Sequence, residues 1–256
     1  MNAPTLVAIV PAAGVGARAA MAGGHPKQYR LLAGEPMLRL AVRALLADAR
    51  IAQIRVAVSA ADVWAEAALQ GLPRTVVRHC GGPARADTVR AALRDAHLPE
   101  TAWVLVHDAA RPGLPAAALG RLIDTCLQTG RGGILAVPVD DTVKQGRPAS
   151  AIAAADHVRG ATRVSAPGNL CEIAATHSRE SLWLAQTPQM FPAGELLAAL
   201  ESSQGDAAVT DEASAVERTA GSGRAPLLVR GARENFKLTW PEDFAWFERH
   251  AVGDRR

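Results

Sequence analysis

Lysine is almost missing from this chain. Only Lys27, Lys144 and Lys237 occur, against 25 arginines. Such scarcity has two readings: compositional drift with three leftovers, or three places where a compact ammonium is needed and a planar guanidinium will not serve. Cysteine is scarce too. Cys80, Cys126 and Cys171 are far apart and odd in number. With no CxxC and no Cys/His cluster, neither a disulfide framework nor a zinc site is expected. No run of about 20 apolar residues is present to span a membrane. The first seventeen residues carry no charged side chain, but they lack a basic n-region, and Pro11, Gly14 and Gly16 interrupt them. A signal peptide is therefore not expected, and a reducing cytoplasm is the expected setting. The net charge of +3 is too small for a dedicated nucleic-acid binder, so neither nucleic acid nor membrane is an expected partner.

What is present suits one ordinary domain, or one large one with an appendage. Of 256 residues, 49% are apolar and 21% charged, enough to bury a core and too apolar for disorder. Short apolar runs at Leu6–Val10, Ile54–Ser59, Thr75–Arg78, Trp103–His107, Ile134–Val139 and Leu227–Val229 predict strands. Helical spacing of Leu, Val and Ala appears over Met37–Ala49, Ala84–Ala96 and Ala116–Gln128. The alternation predicts an α/β fold with a mostly parallel, doubly wound sheet. Ligands in such sheets sit beyond the carboxyl ends of the strands. One stretch breaks the rhythm: Gln145 to Ser178 is rich in Ala, Gly, Pro, Ser and Thr and too long for an ordinary connection. It reads either as a disordered excursion or as an extended arm packed on a partner subunit. We therefore expect one domain over 1–256, with 145–178 protruding from it.

Several segments at strand ends could carry chemistry. After the first strand come Pro11-Ala12-Ala13-Gly14-Val15-Gly16-Ala17-Arg18 and then Pro26-Lys27-Gln28-Tyr29. Glycines there let backbone amides cradle phosphates; the alternative is a plain βα turn. Gly14-x-Gly16-x-x-Ala19 also fits a loose dinucleotide pattern, as in a nicotinamide-dependent oxidoreductase. That pattern wants an acid ending the second strand, where this chain has Val58-Ser59. A Walker A loop is excluded, since no Gly-Lys-Ser/Thr follows. Two cations, Arg18 and Lys27, flanking one glycine loop suit a triphosphate. Gly81-Gly82-Pro83-Ala84-Arg85-Ala86-Asp87-Thr88 precedes a helix and reads as a base or sugar site, or as a turn and cap. An apolar strand delivers Asp108 to its end, with Arg111 three residues on. A carboxylate there suits Mg²⁺, or forms an Asp–Arg pair. Asp140-Asp141-Thr142 follows the fifth strand as ligands or as a solvated turn, while Thr210-Asp211-Glu212 reads as a helix start with a structural cap. His25, His79, His97, His157, His177 and His250 show no metal spacing.

Taken together, seven ordered motifs resemble one family. They are Pro-Ala-Ala-Gly-x-Gly-x-Arg…Pro-Lys-Gln-Tyr (11–29), Gly-Gly-x-x-Arg-x-Asp-Thr-Val (81–89), Val-His-Asp-Ala-Ala-Arg-Pro (106–112), Asp-Thr-Val-Lys (141–144), Leu-Trp-x-x-Gln-Thr-Pro-Gln (182–189), Thr-Asp-Glu-Ala-Ser (210–214) and Glu-Asn-Phe-Lys (234–237). In this order, from about Val7 to Phe247, the chain resembles the 2-C-methyl-D-erythritol 4-phosphate cytidylyltransferases of non-mevalonate isoprenoid synthesis. The resemblance implies a Rossmann-like nucleotidyltransferase fold, a homodimer, Mg²⁺ as cofactor, and CTP and 2-C-methyl-D-erythritol 4-phosphate as substrates. It also implies that the long stretch is a β-arm embracing the other subunit. A cytidylyltransferase for another polyol phosphate, such as ribitol 5-phosphate, is the nearest alternative.

Residue by residue, the resemblance implies that Arg18, Lys27 and Lys237 are catalytic. Ala12, Ala13, Gly14, Gly16, Gly82, Arg85 and Thr88 would hold the nucleotide. Arg111, Thr142, Arg179, Thr187 and Lys237 would hold the acceptor phosphate substrate, some of them from the partner subunit. Asp108 would hold Mg²⁺. Glu234 stands where the family has Asp before Asn-x-Lys, which makes it the weaker metal candidate.

Overall fold

The computed structural model of the chain describes residues 4–14, 26–148, 171–206, 208–221 and 224–251. In chain order the elements begin with β1 (Leu6–Pro11), a 3-10 turn at Lys27–Tyr29, β2 (Leu31–Leu32), β3 (Glu35–Pro36), α1 (Met37–Leu46) and β4 (Ile51–Ala57). There follow α2 (Ala65–Leu69), β5 (Thr75–Arg78), α3 (Arg85–Ala96), β6 (Trp103–Val106), α4 (Ala116–Thr129) and β7 (Gly133–Pro138). The chain continues through β8 (Val143–Pro148), β9 (Cys171–His177), β10 (Trp183–Pro192), α5 (Ala193–Ser202), α6 (Glu212–Thr219), β11 (Leu227–Arg230), a 3-10 turn at Arg233–Asn235 and α7 (Pro241–Ala251).

The main sheet has seven strands in the order β11-β7-β10-β6-β1-β4-β5. β1 lies between β4 and β6 and is parallel to both. Its sequence is apolar at every position because both faces are covered. Leu6, Ala8 and Val10 face one core with α1 and α4, while Ile9 faces a second core with α3, α5 and α6. β6 alternates likewise, Trp103 and Leu105 to one side, Val104 and Val106 to the other. This two-residue period on a strand covered twice is the doubly wound arrangement. A third cluster packs α7, through Phe244 and Phe247, against Leu32, Met37 and Leu40.

Every predicted strand and helix is found, most with shifted ends and Thr75–Arg78 with its bounds unchanged. β4 begins at Ile51 rather than Ile54, and α1 stops at Leu46 rather than Ala49. At that end Arg74 donates to the carbonyls of Leu46, Asp48, Ala49 and Ile51, so a side chain distant in sequence closes the helix. Of the seven strands in the main sheet, the one that periodicity misses is β10. It runs antiparallel to β6, pairing Gln189 with Val106 and Pro192 with Trp103. Two prolines and three polar residues in Trp183–Pro192 hide its strand character.

The chain divides into two compact units, 1–137 with 185–256, and 138–184. In the smaller unit β8 and β9 pair antiparallel, Val143 with His177 through Pro148 with Cys171, with a register shift between Gln145 and Gly146. Cross-strand contacts Lys144 Nζ to Thr176 Oγ1 (2.7 Å) and Arg147 to Glu172 (3.0 Å) line this ribbon. The segment expected to form an arm, 145–178, falls in this unit; its residues 149–170 lie outside the described residues. Among the described residues no helix is long and apolar enough to cross a membrane.

Candidate active site

Strand order reverses at β1: the chain passes from β1 to β4 and β5 on one side, then to β6 on the other. A crevice forms at such a switch point beyond the strand ends. A cavity of about 290 Å³ opens there, walled by Pro11 at the end of β1 and Ala13 and Gly14 after it, Gly82 to Arg85 and Thr88 after β5, and Asp108 to Ala110 after β6. Lys27, Gln28, Met37 and Lys237 complete the wall.

The glycine loop is held from beneath. The Ala12 amide donates to the Ala57 carbonyl, and Gln28 Nε2 donates to the Ala12 carbonyl, both at 2.8 Å. Gln28 is buried, so the Pro-Lys-Gln-Tyr turn is tied to the loop that it flanks. Tyr29 extends the tie, donating from its hydroxyl to Asp62 at 2.6 Å. Gly81 lets the second loop press on the first: a Cβ there would stand 2.3 Å from Ala13 Cβ and 2.7 Å from the Val58 carbonyl oxygen. The Thr88 hydroxyl accepts from the Gly82 amide and donates to the Ala84 carbonyl, both at 3.1 Å. It fixes the turn that opens α3.

Asp108 is the electrostatic centre. Arg85 Nε lies 2.9 Å from Oδ1, Lys237 Nζ 2.8 Å from Oδ2, and Arg111 Nε 3.8 Å from Oδ2. Burial alone would raise the Asp108 pKa, but Arg85, Lys237 and Arg111 outweigh it and hold the carboxyl well below the usual range. Asp108 is therefore an anion at neutral pH. Arg85 is itself anchored at its other end, donating to both carboxylate oxygens of Glu212 at 2.7 and 3.0 Å. Glu212 is only 1% exposed, and burial pushes its pKa up against the pull of Arg85.

Behind Asp108 runs a buried hydrogen-bond chain. His107 Nε2 faces the Arg111 carbonyl at 3.1 Å, an acceptor only, so Nε2 carries the proton. Nδ1 then accepts from the Thr187 hydroxyl at 3.0 Å, and that hydroxyl accepts the Asp108 amide at 2.9 Å. Burial lowers the His107 pKa to about 4, with Asp108 opposing, so the ring is neutral. Asn235 Nδ2 donates to the Thr187 carbonyl at 2.7 Å, which carries the tie to the segment holding Lys237.

The cavity brings together Ala13, Gly14, Lys27, Gly82, Arg85, Thr88, Asp108 and Lys237 from the sequence expectations. Ala12 is buried beneath it. Two expected substrate ligands have other positions. Thr187 is 4% exposed and does not line the cavity; its hydroxyl is committed to His107 and Asp108. Arg111, also buried, donates to the carbonyls of Asn235 (2.7 Å) and Ala185 (3.2 Å) and reaches the site through Asp108. Glu234 is exposed and does not line the cavity. Thr142 and Arg179 are exposed residues of the smaller unit, as are Asp140 and Asp141. Gly16 and Arg18 lie outside the described residues. Lys27 donates to the Leu238 carbonyl and lies over the Phe244 ring, 5.7 Å from its centroid. Sequence reasoning missed Gln28 and Glu212 as parts of the site. Glu212 stood in the Thr-Asp-Glu-Ala-Ser motif, whose local reading was a helix start, and Asp211 does cap α6, accepting from the Ser214 amide.

The chain is similar to known proteins in both sequence and fold. The sequence profile described as 2-C-methyl-D-erythritol 4-phosphate cytidylyltransferase matches residues 6–171 and 149–250. A Bordetella pertussis protein of that name is 58% identical over 248 residues, covering 96% of this chain and 98% of its own length. Its Laribacter hongkongensis namesake is 45% identical over 240 residues, 93% of this chain and 92% of its own. A crystal structure of a 4-diphosphocytidyl-2C-methyl-D-erythritol synthase superposes with a TM-score of 0.76 at 34% identity, covering 97% of this chain and 99% of that one. The Francisella tularensis 2-C-methyl-D-erythritol 4-phosphate cytidylyltransferase gives 0.71 at 30% identity, covering 94% and 97%. On a profile match across nearly its whole length and relatives at this identity, the chain belongs to the 2-C-methyl-D-erythritol 4-phosphate cytidylyltransferase family.

Proposed function

We propose that this chain transfers the cytidylyl group of CTP to 2-C-methyl-D-erythritol 4-phosphate, releasing pyrophosphate and forming 4-diphosphocytidyl-2-C-methyl-D-erythritol. The observation that carries the reading is the switch-point cavity, which faces two glycine turns, two lysines and one buried, ionised aspartate. The acceptor's phosphate monoester, with a second pKa of about 6, is already largely dianionic at neutral pH. It needs no general base. The task is to bring two polyanions into line and to neutralise the charge that develops at the α-phosphorus and on the leaving pyrophosphate.

In this reading Ala13, Gly14 and Gly82 offer backbone to the nucleotide, and Thr88 keeps the second turn in shape. Lys27, with Arg18, meets the triphosphate; Lys237 meets the acceptor phosphate. Thr142 and Arg179 are proposed to contact the acceptor across a homodimer in which the smaller unit reaches the partner. Mg²⁺ fits the donor set at Asp108: the ion takes one or two carboxylates and completes its shell with water and phosphate oxygens. Among the described residues no group of three or more His, Cys, Asp or Glu could hold a metal. Bound there, Mg²⁺ supplies charge neutralisation on phosphate oxygens. Lys237 is 47% exposed and free to exchange the Asp108 carboxylate for an acceptor phosphate. The cytoplasm is the proposed location.

The test is pyrophosphate release from Mg²⁺ and CTP with each acceptor in turn. Methylerythritol phosphate should turn over fastest; faster turnover of ribitol 5-phosphate would overturn the acceptor, and inactivity with every acceptor would overturn the transfer.

A further inference from the structure

Among the described residues, Glu212 is the most deeply buried acid that the transfer reaction leaves without a task. It lies at the first position of α6, 127 residues from Arg85 in sequence, and is 1% exposed. Its two oxygens take both terminal nitrogens of Arg85 at 2.7 and 3.0 Å, which leaves Nε to meet Asp108 at 2.9 Å. Planar guanidinium with a bidentate carboxylate is a rigid unit. We propose that Glu212 is a positioning residue for the transfer site: it aims Arg85 so that one N–H reaches Asp108, and its charge offsets that of Arg85 so that Asp108 keeps an anion's affinity for a divalent cation. This rests on the cytidylyl-transfer reading for the identity of the ligands.

Two observations and one consequence of guanidinium geometry support it. First, Asp108 faces three cations, Arg85, Lys237 and Arg111. Left uncompensated, that excess would repel Mg²⁺ from the one carboxylate in the wall. Second, the placement of Glu212 is itself braced. Asp211 caps α6 and accepts from Gln189 at 2.8 Å, while Gln189 accepts the Ala213 amide at 2.8 Å. Gln189 sits on β10 opposite Val106, two residues before Asp108. Both carboxylates are thus referred to one strand pair. Third, an arginine free of Glu212 could turn its paired N–H groups onto Asp108 and saturate it.

The experiment compares wild type, Glu212→Gln, Glu212→Asp, Arg85→Gln and the Glu212→Gln/Arg85→Gln double variant, measuring Mn²⁺ retained with CTP in the absence of acceptor by electron paramagnetic resonance. Circular dichroism checks the fold of each. Loss of a partner that orients a metal ligand typically weakens binding by about 10–100-fold, and E212Q should fall in that range. Glu212→Asp, which keeps the charge, should retain Mn²⁺ at least about tenfold better than E212Q. Added to Arg85→Gln, Glu212→Gln should cost little further Mn²⁺, a coupling that mere loss of packing would not produce. Wild-type Mn²⁺ retention in E212Q, or a double variant about tenfold or more weaker than Arg85→Gln alone, overturns the proposal. If E212Q does not fold, the double variant decides it: Mn²⁺ retention about tenfold or more below that of Arg85→Gln overturns charge compensation, and comparable retention supports it. A wild type that retains Mn²⁺ and CTP but transfers to no acceptor refutes the function reading while leaving this one standing.

Discussion

Replacing Thr187 by valine isolates the hydrogen-bond chain behind Asp108. The two side chains are close in shape, so the change removes one hydroxyl and little packing. Two buried groups then lose their partners, the Asp108 amide and His107 Nδ1. Each unsatisfied buried group costs about 1–3 kcal/mol, and the added apolar methyl returns about 0.8 kcal/mol. A net loss of about 3 kcal/mol follows, a fall in Tm of roughly 6–12 °C for a chain of this size. Thr187→Ser, which keeps the hydroxyl and loses a methyl, should cost only about 1 kcal/mol. Urea and thermal unfolding of the three proteins measure the difference, and ¹⁵N NMR of the imidazole should show a neutral ring protonated on Nε2. If T187V melts within about 2 °C of wild type, or if the ring is protonated on Nδ1, the hydrogen-bond chain is wrong.

Three further outcomes can be checked. Lys27→Arg should lower kcat by about 10²-fold, because a planar fork cannot replace a compact ammonium at the glycine loop; near-normal steady-state turnover would refute the need for lysine. Deleting 145–178 should lower sedimentation mass and activity together, and a monomer with full activity would sink the shared-site reading. For His107, whose pKa falls from 6.5 to about 4 on folding, the unfolded chain binds the extra proton between those values. Stability therefore rises with pH across that window, is complete above about 6.5, and is lost as pH falls toward 4. The drop corresponds to about 3 kcal/mol. Urea midpoints from pH 4 to 8 should show the slope in wild type and not in His107→Gln; equal slopes would show that His107 does not titrate as a buried group.

The legible part of the fold is the part that two faces of burial dictate. β1 and β6 are apolar at every position because a helix layer covers each side, and the sequence runs carry that directly. β10 was not legible for the opposite reason. Its polar residues are those that hold the site together: Gln186 braces Ala232, Thr187 meets His107 and Asp108, and Gln189 braces α6. A strand that spends its side chains on long-range hydrogen bonds loses the alternation by which strands are read from sequence.

The same physics divides the site. Ala13, Gly14, Gly82, Lys27, Asp108 and Lys237 stand on local motifs at strand ends, so the residues on the cavity wall were legible one segment at a time. Thr187 and Arg111 belong to equally visible motifs, yet burial assigns their polar groups to protein partners. A motif fixes which residue is needed and leaves open whether the need is contact or support. Glu212 is the clearest instance. Its local sequence is that of a helix N-terminus, and its capping neighbour Asp211 fulfils that role. Only the long-range pairing with Arg85 turns the next residue into part of an electrostatic chain ending at Asp108. Charge compensation is a property of the summed field in the cavity, and no spacing along the chain can encode it. Lysine scarcity was informative for a related reason. Two of the three lysines line the cavity, and Lys144 lies on the β8–β9 ribbon, where its ammonium bonds Thr176.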